Sequence, residues 1–312
     1  MTNTLCWCCV PCAMTTGIVD LCSMSAARVS SRSRTSALDT TEKLFEAICQ
    51  KKSFLCVGLD PDPERIPIDF GAGVVAMERF CMAMVEATAD VAVAYKPNLA
   101  FFEQYGSEGW AALERVAEAI PDDVLLIADA KRGDIGNTAT RYARAMFDGL
   151  GADAITVAPY MGRDSVEPFT AFSDRWTVLL ALTSNPGADD FEFHGDQPLF
   201  MEVLDKSQSF VGADRLMYVV GATRPEMLRA IRNRVPEAFF LVPGVGAQGG
   251  TVAAVAEHGM NDQCGLLVNS SRGILYAGGS KATMEEAQHA ASKAAHALQV
   301  EMQQALEASG LI

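Results

Sequence analysis

The chain has 312 residues, 49% hydrophobic and 21% charged, a globular balance with enough apolar material for a sizeable core. Its formal charge is −14, and residues 1–37 hold three Arg and one Asp, so the remainder carries −16. That excludes the basic stripe of a nucleic-acid surface but still permits a pocket for a small anion, and no apolar run is long enough for a transmembrane helix.

Residues 1–37 stand apart. Five of the nine Cys lie in the first 22 residues, with Cys9 and Cys12 forming a lone C-x-x-C; zinc would want a second pair at suitable spacing, and none is present. The apolar stretch from Leu5 to Cys22 contains Asp20 and lacks the basic start of a secretory signal. Residues 23–38 hold six Ser, three Arg and no acid, which suits an organelle transit peptide. A disordered extension, or a true start at Met24, fits equally. From Asp39 onward the composition is uniform, without a linker, so the expected organisation is an extension at 1–37 and one domain at 38–312. The remaining cysteines (Cys49, Cys56, Cys81 and Cys264) lie in apolar stretches and read as reduced core thiols of a cytoplasmic protein.

The domain begins with a helix predicted at 39–52, outside the repeating pattern and placed to close the bottom of a barrel. A strand-then-helix rhythm follows. Its β-rich runs are 54–60, 91–97, 124–131 and 154–160, then 177–184, 216–223, 239–245 and 264–271. Each is nearly continuous in apolar residues, as parallel strands covered on both faces require. Amphipathic stretches such as 107–120 and 135–149 lie between them. Eight βα units in about 250 residues predict a (β/α)₈ TIM barrel; a doubly wound sheet shares the rhythm but fits the count less well.

In such barrels the chemistry sits where strands end. The predicted ends read Asp60, Lys96, Asp129 with Lys131, Thr183 with Ser184, Pro243 to Gln248, and Arg272. In IADAKRGDIGNTA (127–139), Asp129 and Lys131 are two apart on a strand, so alternation sends both to one face. Asp134 follows in the turn and Thr138 lies one helical turn beyond. Taken alone, D-x-K-x-x-D also describes a surface ion pair with a helix cap at Asp134.

The full 127–139 string resembles the signature of orotidine 5′-phosphate decarboxylases. YKPNLAFFEQYG (95–106) is similar to the strand-two segment of that family's second bacterial-type branch, and PGVGAQGG (243–250) and NSSRGILYA (269–277) follow in the right order and spacing. The resemblance runs from Asp39 to about residue 300. It implies conversion of orotidine 5′-monophosphate (OMP) to UMP, with an alternating array of Lys96, Asp129, Lys131 and Asp134 at C6 of the pyrimidine. Lys131 would stabilise the carbanion and protonate it. Asp60 and Lys96 would hold the ribose hydroxyls, helped by Asn98, and Ser184 the pyrimidine edge, with Thr183, Pro243 and Gly246 among the substrate-binding positions. It also implies a homodimer whose sites are shared, Asp134 and Thr138 completing the partner's.

Gly244, Gly246 and Gly249 spell G-x-G-x-x-G, a possible dinucleotide fingerprint, which wants an acid at the end of the next strand. Asp262 instead precedes that strand, whose end offers Asn269 and Arg272. The loop follows the seventh strand, where barrels commonly seat a phosphate; backbone N–H groups and Arg272 would hold the dianion, with Gln248 reaching over it. No pyridoxal, thiamine or metal motif supplies an electron sink, so the expected reaction uses no cofactor and no metal. The four histidines (194, 258, 289, 296) fall outside these positions. The rival readings are a Mg²⁺-dependent sugar-phosphate decarboxylase or synthase of the same superfamily, which by resemblance needs an acid where this chain has Lys96, and a silent barrel that only binds nucleotides.

Overall fold

The computed structural model describes residues 37–222, 224–246 and 249–312; the Cys9–Cys12 pair, the rest of 1–36 and Gln248 lie outside them. Eight parallel strands close in sequence order into one barrel, with β8 pairing back onto β1. They are β1 (Leu55–Leu59), β2 (Ala92–Pro97), β3 (Leu125–Arg132), β4 (Ala154–Val157), β5 (Trp176–Leu182), β6 (Leu216–Val220), β7 (Phe240–Pro243) and β8 (Leu266–Ser270). All eight predicted strands are present, most of them shorter than the apolar runs. The surplus residues, such as Ala158 to Tyr160 after β4, form the loops above the barrel.

Almost every strand residue is buried, because interior side chains fill the barrel and exterior ones meet helices. Tyr95 in β2 illustrates the outer layer: its hydroxyl donates to Val85 O at 2.9 Å and lies 2.7 Å from Thr88 Oγ1, both on the helix Gly73–Thr88. The predicted helix at 107–120 is observed as Gly106–Ala119. That at 135–149 is α-helical over Gly136–Arg144 and ends in a π-turn over Ala145–Gly149. After β4 the α-helix is short, Glu167–Thr170. The helix predicted at 39–52 spans Thr41–Lys51. Just before it, Leu38 O accepts from Trp176 Nε1 at 2.8 Å and Asp39 O accepts from Arg215, which ties this segment to the starts of β5 and β6, at the barrel's N-terminal end. The opposite end, where strands finish, is left for the loops.

Candidate active site

β3 does not run regularly to its end. Ala128 pairs with Ile155 but Arg132 pairs with Val157, so four residue steps on β3 span two on β4. Within this bulge Lys131 takes a left-handed backbone, φ 45°, a conformation that L-residues avoid and that clusters at functional sites. Asp129 and Lys131 do meet, as alternation predicted, yet the bulge rather than plain alternation re-aims Lys131. Thr156 in β4 occupies the gap. Its Oγ1 accepts from Lys131 N at 2.8 Å and donates to Asp129 Oδ1 at 3.1 Å.

The carboxylate of Asp129 is held between two ammonium groups. Lys96 Nζ lies 2.6 Å from its Oδ2, and Lys131 Nζ 2.6 Å from its Oδ1. Lys96 and Asp129 are each only 7% exposed at the side chain, whereas Lys131 is 53% exposed, so the array runs from the buried interior to the mouth. Burial alone would raise the Asp129 pKa, but Lys96 and Lys131 outweigh it and hold the group at about 2. Burial likewise opposes the charge on Lys96, and the carboxylates of Asp129 and Asp60 more than reverse this, leaving it above its ordinary value. At neutral pH the buried pair is therefore held as an Asp129 carboxylate and a Lys96 ammonium.

A cavity of about 190 Å³ opens beside this array, lined by Asp60, Lys96, Asn98 and Asp129 on one side and by Pro243 to Val245 and Asn269 to Gly273 on the other. Asp60 follows β1, and its Oδ1 is buried with no hydrogen-bond partner. Its main chain is pinned, since Tyr276 OH donates to Asp60 O at 2.7 Å and accepts from Asp62 N at 2.7 Å. Asn98 lines the cavity but spends its Oδ1 on Ala100 N, at 3.3 Å, as the cap of the helix Leu99–Glu103. Arg272 opens the short helix Arg272–Leu275 and, among the described residues, forms no ion pair. Gly244, Gly246 and Gly249 all adopt positive φ, so the G-x-G-x-x-G string is a tight loop on β7 of a barrel. The Gly246 N–H is used inside that loop, on Gly250 O at 2.9 Å.

Among the described residues, six predicted site residues do not line this cavity: Lys131 and Gly246, placed above, and Thr183, Ser184, Asp134 and Thr138. Thr183 is tied into the β5 loop, its N 2.8 Å from Glu192 Oε2 and its Oγ1 2.7 Å from Glu192 Oε1. Ser184, half-buried, packs where Gly221 lacks a side chain. Asp134 accepts from Ile135 N at 2.8 Å; it does not cap the helix Gly136–Arg144, whose N-cap is Ile135, and among the described residues it forms no ion pair. Thr138 is exposed on that helix. None of the four histidines lines the cavity. A larger apolar cavity, about 690 Å³, lies outside the barrel between β5 and the helix Leu199–Ser207, and none of the predicted site residues lines it. Sequence reasoning missed Thr156 and Tyr276. The signal for Thr156 was a lone hydroxyl in the otherwise apolar strand AITV.

Among the described residues no group of three or more His, Cys, Asp or Glu is placed to hold a metal ion, and no helix is long and apolar enough to cross a membrane. The family model described as "Orotidine 5'-phosphate decarboxylase / HUMPS family" matches residues 53–287. The orotidine 5'-phosphate decarboxylase of Parabacteroides distasonis is 51% identical over 277 residues, covering 87% of this chain and 98% of that protein. That of Porphyromonas gingivalis is 51% identical over 279 residues, covering 88% of this chain and all of its own. The solved Leishmania donovani OMP decarboxylase superposes with a TM-score of 0.70 at 37% identity, covering 84% of this chain and 99% of its own. With half its residues shared along nearly the full length of such relatives, this chain belongs to the orotidine 5′-phosphate decarboxylase family.

Proposed function

We infer that this chain converts OMP to UMP, the last step of de novo UMP synthesis, by preorganised charge rather than by a cofactor. The observation that carries this reading is the Lys96–Asp129–Lys131 array, a carboxylate held 2.6 Å from each of two lysine nitrogens, with Lys96 and Asp129 lining a cavity that Arg272 also lines. The C6–carboxylate bond breaks, CO₂ leaves, and the electron pair stays at C6 in the plane of the ring, orthogonal to the π system. No resonance sink accepts it, so stabilisation has to be electrostatic. The ammonium of Lys131 faces the developing charge and then gives C6 a proton. Half-exposed as it is, Lys131 regains that proton from water. Asp129 fixes both lysines, and its negative charge beside the substrate carboxylate is relieved as CO₂ departs.

One such ammonium at about 4 Å and an effective dielectric near 20 is worth roughly 4 kcal/mol. Enzymes supply on the order of 8–23 kcal/mol, so binding energy from remote groups must add to it. The buried, unpartnered Asp60 Oδ1 suits a ribose hydroxyl, together with Lys96 and the amide of Asn98. Arg272 suits the phosphate, with Gln248 and the loop around Gly246 closing over it beside Pro243. Ser184 suits the pyrimidine edge, with Thr183 beside it among the substrate-binding positions. A Mg²⁺-dependent sugar-phosphate reaction fits poorly, because the Lys96 ammonium already occupies Asp129 Oδ2 where a cation would sit.

The working unit is a homodimer with shared sites. Ile135, Tyr142, Tyr160 and Met161 are 54%, 37%, 85% and 50% exposed, and they cluster on the loops and helix that follow β3 and β4, where Met161 Cε comes within 3.6 Å of a Cβ placed on Gly133. Exposed apolar side chains of this kind suit an interface, and by resemblance to the family Asp134 and Thr138, on the same segment, complete the partner's site across a two-fold axis. The catalytic domain is 38–312, with 1–37 an extension outside it. The thiols of Cys49, Cys56, Cys81 and Cys264 are all free, in keeping with a cytoplasmic location. Incubating EDTA-dialysed protein with OMP and identifying the products tests the reading. UMP and CO₂ in equal amounts are expected; a strict Mg²⁺ requirement, or no UMP, would overturn it.

A further inference from the structure

We propose that Thr156 is a positioning residue for this decarboxylation, its single hydroxyl setting both the backbone of Lys131 and the carboxylate of Asp129. The proposal rests on the reading of the site given above and extends it to a residue that touches no substrate. A β-bulge leaves an N–H without its ladder partner, and a buried backbone donor must find another acceptor. At Lys131 that acceptor is Thr156 Oγ1, 2.8 Å away. A hydroxyl has one proton to give, and this one goes to Asp129 Oδ1 at 3.1 Å. Thr156 is 1% exposed, so its hydroxyl has no solvent to turn to in place of these two bonds.

The consequence is a closed circuit. Asp129 Oδ1 receives Thr156 Oγ1 and Lys131 Nζ, while Oδ2 receives Lys96 Nζ. The rotation of the carboxylate is therefore fixed from three directions. The same hydroxyl holds Lys131 in the left-handed conformation, φ 45°, that aims its ammonium back over Asp129. Without the hydroxyl, the strained backbone has no bond at its N–H to hold it, and Lys131 relaxes away from the position at which it must meet C6. An ammonium misplaced by about 1 Å costs on the order of 10²-fold in rate, while contacts to ribose and phosphate, made elsewhere, stay intact.

Two substitutions separate positioning from packing. Thr156→Val keeps the shape and removes the hydroxyl; Thr156→Ser keeps the hydroxyl and removes a methyl group. A purely structural role predicts that Val is harmless and Ser harmful. Positioning predicts the reverse: Val lowers kcat about 10- to 100-fold, from the loss of a hydrogen bond to a charged group and a displaced lysine, with KM for OMP and the Kd for UMP within about threefold of wild type, while Ser restores most of the turnover. Crystal structures of both variants supply a readout independent of substrate, with Lys131 leaving positive φ in Val and keeping it in Ser. Should the wild-type enzyme fail to decarboxylate OMP, the functional reading falls and these structures still decide the role of Thr156. Should Val not fold, Thr156→Ala takes its place. Unchanged kcat and an unmoved Lys131 in the hydroxyl-free variant, equal losses in Ser and Val, or failure of both Val and Ala to fold would each overturn the proposal.

Discussion

Replacing Lys96 with Met removes the inner cation of the array while keeping an unbranched chain of similar length. Lys96 and Asp129 are 2.6 Å apart and each 7% exposed, and removing one partner of a buried pair destabilises by about 3–5 kcal/mol. Asp129 keeps Lys131 and Thr156, so the lower end applies, about 3 kcal/mol. At roughly 2–4 °C per kcal/mol for a chain of this size, the melting temperature at pH 7 should fall by about 6–12 °C. The loss should also depend on pH, with a definite sign. In the wild type Asp129 titrates at about 2, below the ordinary 3.8, so it contributes stability that is present above the unfolded value and is lost as pH falls through about 2. Without Lys96 the folded value rises, because the charge and hydrogen bond of Lys96 are two of the influences that hold it down, so the variant loses less of this stability on acidification than the wild type does. Thermal melts of both proteins from pH 7 down to the acid limit of folding should therefore show a deficit that shrinks as pH falls. A deficit independent of pH, or no deficit at all, would refute the account of how the array is held.

Arg272→Ala should weaken UMP binding about 10- to 100-fold, the worth of a charge-assisted contact, and leave uridine binding nearly unchanged; equal losses in calorimetric titration would contradict the phosphate assignment. Dialysis against EDTA should leave the rate of OMP turnover unaltered, because no step is assigned to a metal. Lys131→Ala and Asp134→Ala should each be inactive alone and complement each other when mixed. Random exchange makes half the dimers mixed, and each mixed dimer pairs one intact Lys131 with one intact Asp134, so about a quarter of all sites should recover. No recovery despite demonstrated subunit exchange would place Asp134 in the site of its own chain.

The barrel was readable because its eight parallel strands are buried on both sides, which leaves long apolar runs that a single sequence displays directly. Their ends were less readable. The run at 154–160 continues past Val157 only because Ala158, Pro159 and Tyr160 are apolar loop residues, one of them 85% exposed at the surface. At the site, Asp60, Lys96, Asp129, Pro243 and Arg272 could be read from their places at strand ends, and the structure lines one cavity with them. The contacts of Thr183 could not be read from its place, because the partner that holds it, Glu192, is nine residues away in a loop whose path no periodicity encodes. The hydroxyl of Thr156 stood out in its apolar strand, but its role was unreadable for a related reason. Its role exists only through a bulge, and a bulge is a mismatch between two strands that neither strand's sequence shows alone. Asp134 and Thr138 mark a third limit: their predicted work lies in another copy of the chain.

The most direct test of the charge-array account compares wild type with Lys131→Ala, following the fall in orotate-ring absorbance when OMP is added, and titrating UMP in parallel. The account predicts rapid loss of absorbance with wild type, none above background with the variant, and UMP affinities within about threefold of each other, since phosphate and ribose are held by other residues. Turnover by Lys131→Ala at a rate near that of wild type would remove the lysine from the chemistry and contradict the central claim.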